Sequence, residues 1–187
     1  PLLNRALELA PQFYPAGYAR ALVQSRRGRL AEAIADVDAL LAISPDNLAY
    51  LNLKASVLVR LGKFDEARRT YERVLSERPD QPKTWMSLGH TLKTAGHTQE
   101  GIDAYRRSLA LAPTLGESWW SLANLKTFRF SDEDVSAMQG ALNAPKIDDE
   151  DRLHLHFALG KAFEDAADYA NSFQHYRRGN EIRRGQI

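Results

Sequence analysis

A fixed period of 34 residues runs through most of this chain. Four prolines recur at that interval: Pro11, Pro45, Pro79 and Pro113. Three glycines recur at the same interval: Gly28, Gly62 and Gly96. A period of this length is typical of repeat architectures, in which each repeat is one small structural unit that buries its apolar face against its neighbours. The period therefore predicts a stack of similar units.

Further columns of similar residues appear when the proline is numbered position 32 of each repeat. Position 4 is large in three repeats (Gly17, Leu51, Trp85, Trp119), and positions 8 (Ala21, Ala55, Gly89, Ala123) and 20 (Ala33, Ala67, Gly101) are small. Position 24 is Val37, Tyr71 and Tyr105. This pattern resembles the tetratricopeptide repeat (TPR). The resemblance implies an all-α fold, a right-handed superhelix (α-α solenoid) of about 4.5–5 helical hairpins.

Physical reasons account for these columns. Two antiparallel helices approach closely only where side chains are small, and large residues fill the spaces on either side. We therefore expect Ala33 and Ala67 to be buried and Trp85 to be a core residue. Glycine at position 15 supplies the left-handed backbone that ends a helix, and proline cannot continue one. The predicted helices are about 14–27, 30–43, 48–61, 64–77, 82–95 and 98–111.

The same numbering divides the chain into six segments. They are a second helix of a truncated repeat (1–13), regular repeats (14–47, 48–81, 82–115), a divergent repeat (116–152) and a divergent TPR-like hairpin (153–187). The chain begins with Pro1, which the numbering places inside a helix, so we expect at least one further repeat upstream. A helix without its partner would expose Leu2, Leu3 and Leu7, which predicts end-to-end self-association.

The last two segments depart from the pattern at their turns. Phe130 replaces the turn glycine, and Ser131 is a good N-cap for a helix over about 132–143. An acidic run at 148–151 is well placed at the positive end of the next helix. Gly160 and Tyr176 then take positions 8 and 24 of the last hairpin.

Five short runs in these segments carry a second resemblance. They are WWSLANLKTFRFSDED (119–134), LHFALGKA (155–162), ED (164–165), SFQHY (172–176) and GN (179–180). They resemble bacterial TPR–sulfotransferase fusions, in which such a segment precedes a sulfotransferase domain that uses the sulfate donor PAPS. The resemblance implies that the parent protein is a sulfotransferase through a domain beyond Ile187. No catalytic residue can be carried over, because the phosphate-binding loop of that domain is not present in these residues.

Composition excludes several functions. The chain has no cysteine, which removes disulfides and thiolate metal sites and favours a cytoplasmic location. It has 25 basic and 24 acidic residues, a balance that argues against nucleic-acid or membrane-surface binding. No apolar run approaches the roughly 20 residues that span a bilayer.

No residue pattern indicates catalysis. The sequence has no Gly-rich phosphate loop, HExxH or GxSxG motif. His154 and His156 are two residues apart, which points them to different faces of a helix, so core or surface roles are expected rather than metal ligation. We predict no catalytic residue, cofactor or metal site, and no enzyme within residues 1–187.

The TPR resemblance places a binding surface on the first helix of each hairpin, chiefly at positions 2, 5, 9, 12 and 13. These concave-groove candidates are Tyr18, Leu22, Arg26, Asn52, Ser56, Arg60, Lys83, Met86, His90, Lys93, Trp120, Asn124 and Thr127. Aromatic, amide and basic groups together suit an extended peptide or an acidic protein segment. Two functional alternatives remain: the groove presents a partner to a sulfotransferase domain, or the chain is a free-standing adaptor. Against both stands the interpretation that these residues are ordinary surface, or are covered by a downstream domain.

Overall fold

The structure, a computed structural model, describes residues 2–186, and all regular secondary structure in that part of the chain is α-helical. Its helices are α1 (Leu2–Leu9), α2 (Tyr14–Arg26), α3 (Leu30–Ile43), α4 (Leu48–Arg60), α5 (Phe64–Glu77), α6 (Pro82–Thr94), α7 (Thr98–Leu111), α8 (Gly116–Ala123), α9 (Asp132–Leu142), α10 (Asp149–Asp165) and α11 (Tyr169–Gly185). The predicted helices agree with α2–α7 and α9 to within one residue at each end. Pro1, which was predicted to lie in a truncated helix, is outside the described residues.

The turn glycines have the predicted backbone conformation. Gly28, Gly62 and Gly96 have φ values of +78°, +74° and +90°. This is the left-handed region that glycine enters without steric cost, and each glycine follows the first helix of a hairpin. The glycine column therefore marks the point at which the chain reverses between paired helices.

Small residues sit where the helices of a hairpin approach most closely. A Cβ atom on Gly89 would lie 2.7 Å from the ring of Tyr105, and one on Gly160 would lie 2.7 Å from the ring of Tyr176. These are contacts between positions 8 and 24, as the repeat predicts. Ala33 and Ala67 are completely buried, which confirms the prediction for position 20.

The first compact unit consists of residues 1–80 and 91–98. Within it α2 packs against α3, α4 against α5, and α3 against α4. One apolar cluster of the unit contains Ala21, Ala33, Val37, Leu53 and Val57. The core therefore follows the boundary between successive hairpins instead of filling one central space.

Helix α1 covers part of α2 and exposes its own outer side. Leu2 is 86% exposed and Leu9 is 72% exposed, whereas Leu3 and Leu7 are only half-buried. Arg20 of α2 donates to Asn4 of α1 over 3.3 Å. Self-association through this helix stays a prediction.

The second compact unit consists of residues 81–90 and 99–187. Its helix α10 packs against α8, α9 and α11. The buried core gathers Tyr105, Leu122, Met138, Leu155 and Leu159. Helix α10 is thus the centre of the divergent part of the chain.

The two tryptophans at position 4 differ in burial. Trp119 is buried, and its Nε1 donates to the carbonyl oxygen of Pro113 over 2.9 Å. Trp85 is only half-buried, so the prediction that it is a core residue is wrong in degree. The ring of Trp119 has a further aromatic neighbour, Phe130, with ring centroids 6.0 Å apart.

Ser131 caps α9 as predicted. Its hydroxyl accepts from the backbone N–H of Asp134, whose carboxylate accepts from the N–H of Ser131 over 3.1 Å. Asp134 is also held by Arg106 of α7, whose second guanidinium nitrogen lies 2.7 Å from the carboxylate. In this hairpin a capping box joined to α7 fixes the start of the second helix, whereas each regular hairpin has a glycine at its turn.

Candidate functional site

The groove candidates of the first unit lie on α2 and α4. Tyr18 is half-buried, and its ring centroid lies 5.5 Å from that of Tyr50. Arg60 donates to the backbone carbonyl of Ser25 and lies 3.2 Å from its hydroxyl oxygen. Arg60 is therefore partly engaged within the fold, and Arg26 is the more accessible cation of this group.

Two of the remaining first-unit candidates, Asn52 and Ser56, are half-buried on α4, as Leu22 is on α2. The Ser56 hydroxyl donates to the Leu53 carbonyl over 2.8 Å. Lys93 belongs to this unit and is exposed. These side chains give the first unit a mixed polar and apolar surface.

In the second unit, two groove candidates turn out to serve the interior. Met86 is buried in the apolar core, so the prediction that it lines the groove is wrong. His90 lies 2.9 Å through Nδ1 from the Tyr105 hydroxyl, and its Nε2 is 3.4 Å from Glu117. The hydrogen bond with His90 lowers the pKa of Glu117 despite partial burial of the carboxylate. His90, at position 9 of this repeat, thus contacts side chains of α7 and α8.

Three other second-unit candidates are exposed, namely Lys83, Asn124 and Thr127, and Trp120 is half-buried. Trp120 and Asn124 line a pocket of about 310 Å³ between α8, α10 and the segment that follows α8. Its other polar lining residues are Lys126, Arg129 and Lys161. We call these five residues the groove pocket. It brings together two predicted site residues and three that the prediction missed.

The floor of the groove pocket is aromatic. The ring of Trp120 lies 5.4 Å from that of Phe157, tilted by 45°. Phe157 in turn lies 6.2 Å from Tyr176, whose hydroxyl donates to Glu164 over 2.8 Å. Because this row of rings is packed on α10 and α11, Trp120 presents one face in a fixed orientation.

The rim of the groove pocket is basic. Lys161 pairs with Asp165 one turn further along α10, and Arg129 lies 3.5 Å from the same carboxylate. Lys126 is exposed. Three cations thus line the pocket beside one carboxylate, which two of them contact, and the excess positive charge favours an acidic ligand.

One of the three missed pocket residues, Lys161, follows the position pattern that located the predicted ones. Counting from Leu153 as position 1, Phe157 and Lys161 occupy positions 5 and 9 of the last hairpin. Extending the groove positions to that hairpin would have named both. Lys126 and Arg129 lie in the irregular segment after α8, where the repeat gives no register.

No described helix is both long enough and apolar enough to cross a membrane. Within residues 2–186, no group of three or more histidine, aspartate or glutamate side chains is arranged to hold a metal ion. The groove pocket presents aromatic, amide and cationic groups.

The helical hairpins with glycine turns define the chain as a helical-repeat protein. Tetratricopeptide repeat models match residues 1–47, 26–90 and 82–115, which together span 1–115. The chain therefore belongs to the tetratricopeptide repeat family. No protein of curated function matches it in sequence.

Solved structures share this fold at low sequence identity. MamA 41-end from Desulfovibrio magneticus RS-1 is 19% identical, with 92% of this chain and 96% of that chain covered and a TM-score of 0.65. Another MamA crystal structure is 15% identical, with 89% and 95% covered and a TM-score of 0.65. YrrB, described as a TPR protein with an unusual peptide-binding site, is 16% identical, with 97% and 92% covered and a TM-score of 0.62.

Proposed function

We propose that this chain is a protein-interaction scaffold and that its groove pocket binds an extended, acidic peptide segment. The observation that carries the proposal is the excess of cations around a fixed aromatic floor, with Lys126, Arg129 and Lys161 beside Trp120. Aromatic and arginine side chains are the groups that most often anchor protein interfaces. The fold is shared with YrrB, whose described peptide-binding site makes peptide recognition a natural use of the surface.

The pocket offers a partner both side-chain and backbone contacts. The Nδ2 of Asn124 donates to the carbonyl of Trp120 over 2.9 Å, which fixes the amide and leaves its oxygen and second N–H for a peptide backbone. The indole face of Trp120 suits an apolar side chain. The three cations suit aspartate or glutamate on either side of that residue.

The predicted groove residues outside the pocket belong to the same proposal. Tyr18, Leu22, Arg26, Asn52 and Ser56 would offer a second contact surface within the first unit. Lys83, Lys93 and Thr127 are exposed and would add polar contacts. Arg60 and His90 would act mainly by holding neighbouring helices.

A display selection tests the proposal directly. We expect random extended peptides selected on this chain to be enriched in Asp and Glu around one apolar residue. Lys161→Glu should reverse or abolish that enrichment, since it converts a rim cation into a carboxylate. Lys146→Glu is the matched control, because Lys146 is exposed and lies outside the pocket. Selection of basic or uncharged peptides, or equal loss in the control variant, would contradict the proposal.

The sequence runs at 119–134 and 155–180 support a narrower form of the proposal, in which the scaffold presents a partner to a sulfotransferase domain of the same parent protein. The alternative is a free-standing adaptor with no attached enzyme. Calorimetry with PAPS distinguishes the scaffold linked to a sulfotransferase domain from the free-standing adaptor. The present chain should neither bind PAPS tightly nor transfer sulfate from it, and a parent chain that extends past Ile187 should do both if the sulfotransferase form is correct. Tight PAPS binding or sulfate transfer by the 187-residue chain itself would contradict both forms.

A further inference from the structure

A second polar pocket lies in the divergent part of the chain, on a different face of α10 from the groove pocket. It has a volume of about 450 Å³ and lies among α9, α10 and α11. Its charged and titratable lining residues are Arg152 and His156 of α10 and His175 and Arg178 of α11. The volume is in the range of small-molecule sites.

The two histidines form a hydrogen-bonded pair in which one ring is buried and the other half-buried. His156 is buried, and its Nδ1 lies 3.0 Å from the Nδ1 of His175. The ring of His175 stacks on Phe163, with centroids 5.5 Å apart and planes 23° from parallel. A hydrogen bond between two imidazole nitrogens needs one donor and one acceptor, so both rings have defined orientations.

The arginines leave positive charge in the pocket uncompensated. The side chain of Arg178 has no hydrogen-bond or ion-pair partner among residues 2–186. The contacts of Arg152 are long. Its Nε lies 3.9 Å from the carboxylate of Asp149, and its Nη2 lies 3.5 Å from the carbonyl oxygen of Ile147. The lining residues from α9 and its C-cap are Gln139, Leu142 and Asn143, which carry no charge.

Burial and the nearby positive charges lower the pKa of both histidines. Burial, together with the nearby His175, Arg178 and Arg152, lowers the pKa of His156 to about 4. Burial and Arg178 also lower the pKa of His175. Both imidazoles are therefore neutral at pH 7, and the neighbouring arginines oppose the protonation of either ring. A cation ligand is disfavoured for the same reason.

We propose that this pocket binds a phosphate group, either as the free ion or as the head of a small phosphomonoester. Two guanidinium groups supply charge-assisted donors to tetrahedral oxyanions, and the imidazole whose Nδ1 accepts in the histidine pair keeps an Nε2–H that can donate one further hydrogen bond. Leu142 would lie beside any organic part of the ligand. This site is independent of the peptide proposal, because it shares no lining residue with the groove pocket.

The test is a titration of the 187-residue chain with inorganic phosphate, followed by calorimetry and by NMR of its histidine side chains. We expect saturable binding with shifts of the His156 and His175 signals. A parallel arm with glycerol 3-phosphate distinguishes the sources, since tighter binding of the ester assigns a phosphomonoester and equal binding assigns the phosphate group alone. Sodium chloride at matched ionic strength must leave these signals unchanged.

Neighbouring arginines supply the matched variants. Arg178→Gln should weaken phosphate binding at least about tenfold, the value of one charge-assisted hydrogen bond. Arg177→Gln should change it less than about twofold, because Arg177 faces Glu181 outside the pocket. Both residues are exposed, so circular dichroism should show both variants folded.

The pH dependence provides an independent check with sulfate, whose charge is constant between pH 5 and 8. Bound anion favours the protonated imidazole and raises the pKa of the pair, so sulfate affinity should rise as the pH falls. Absence of saturable binding up to about 10 mM phosphate would overturn the proposal. Equal weakening by the two arginine variants, or the same histidine shifts in chloride, would also overturn it.

Discussion

The hairpins formed by α2–α7 and those formed by α8–α11 keep the same packing positions but turn in different ways. In the first group a glycine with positive φ follows each first helix. In the second group an eight-residue α8 is followed by an irregular segment that ends in the Ser131 capping box, and the last hairpin turns at Ala167. Both small polar pockets described above lie in this second group. The small and aromatic packing positions are thus retained while the turns vary.

The two position-4 tryptophans give the largest expected contrast. Trp119→Ala should lower the free energy of unfolding by about 3–5 kcal/mol, because the side chain is buried and hydrogen-bonded. Trp85→Ala should cost about half as much, since that ring is only half-buried. Urea unfolding of the two variants measures the difference. Equal losses would mean that the divergent hairpin is no better packed at this position than its regular neighbour.

The two position-8 glycines test how rigidly each hairpin holds its aromatic residue. Gly89→Ala places a Cβ against Tyr105, which is completely buried and fixed by His90, and should cost about 3 kcal/mol. Gly160→Ala meets Tyr176, which is half-buried and can move toward solvent, so about 1–2 kcal/mol is expected. Thermal unfolding checks the order. A larger loss at Gly160 would show that the divergent hairpin is the more rigid one.

The capping box should make the stability of the divergent group depend on pH. Burial opposes ionisation of Asp134, but hydrogen bonds from Arg106 and Ser131 outweigh it and lower the carboxyl pKa. A lowered pKa contributes stability above the unfolded-state value of 3.8, and that stability is lost as the pH falls further.

Asp134→Asn should therefore cost about 1–2 kcal/mol at pH 7 and progressively less below pH 4. Asp132→Asn is the control, because Asp132 is exposed in the same helical turn. Denaturation midpoints of the two variants from pH 3 to 7 make the comparison. A difference between the two variants that does not change with pH would show that the ion pair between Arg106 and Asp134 does not cause the stabilisation.

Substitutions at the turns should have the smallest effects on stability, and the two turn substitutions should have opposite signs. Ala167 has a φ of +59°, at the position that Gly28, Gly62 and Gly96 occupy in the regular hairpins. Ala167→Gly should stabilise the chain by up to about 1 kcal/mol, and Gly62→Ala should destabilise it by a similar amount. Chemical denaturation of both variants tests the pair. Destabilisation by Ala167→Gly would show that the alanine methyl group makes a compensating contact.

Much of the fold was predictable because the TPR columns are physical requirements. The turn glycines, the small residues at close helix contacts and the Ser131 cap each follow from sterics or hydrogen bonding that a sequence displays. The degree of burial was less predictable, since Trp85 and Trp119 share position 4 and differ only through their neighbours in space.

The candidate site was harder to predict for the same reason. Met86 and Trp120 both occupy position 5, but Met86 is drawn into the core while Trp120 rests on Phe157 and stays accessible. The pair of His156 and His175 is separated by 19 residues and is brought together only by the packing of α10 on α11. Sequence spacing within one helix could not indicate it.

The central claim, that the groove pocket is the peptide-binding surface, can be tested through the three tryptophans of the chain. Each indole N–H gives a separate signal in a ¹H–¹⁵N NMR spectrum, and these can be followed while an acidic peptide from the display selection is added. We predict that the Trp120 signal shifts saturably, while the signal of Trp119, which donates to Pro113, stays in place. Shifts confined to Trp85 or Trp119, with Trp120 unchanged at saturating peptide, would contradict the account.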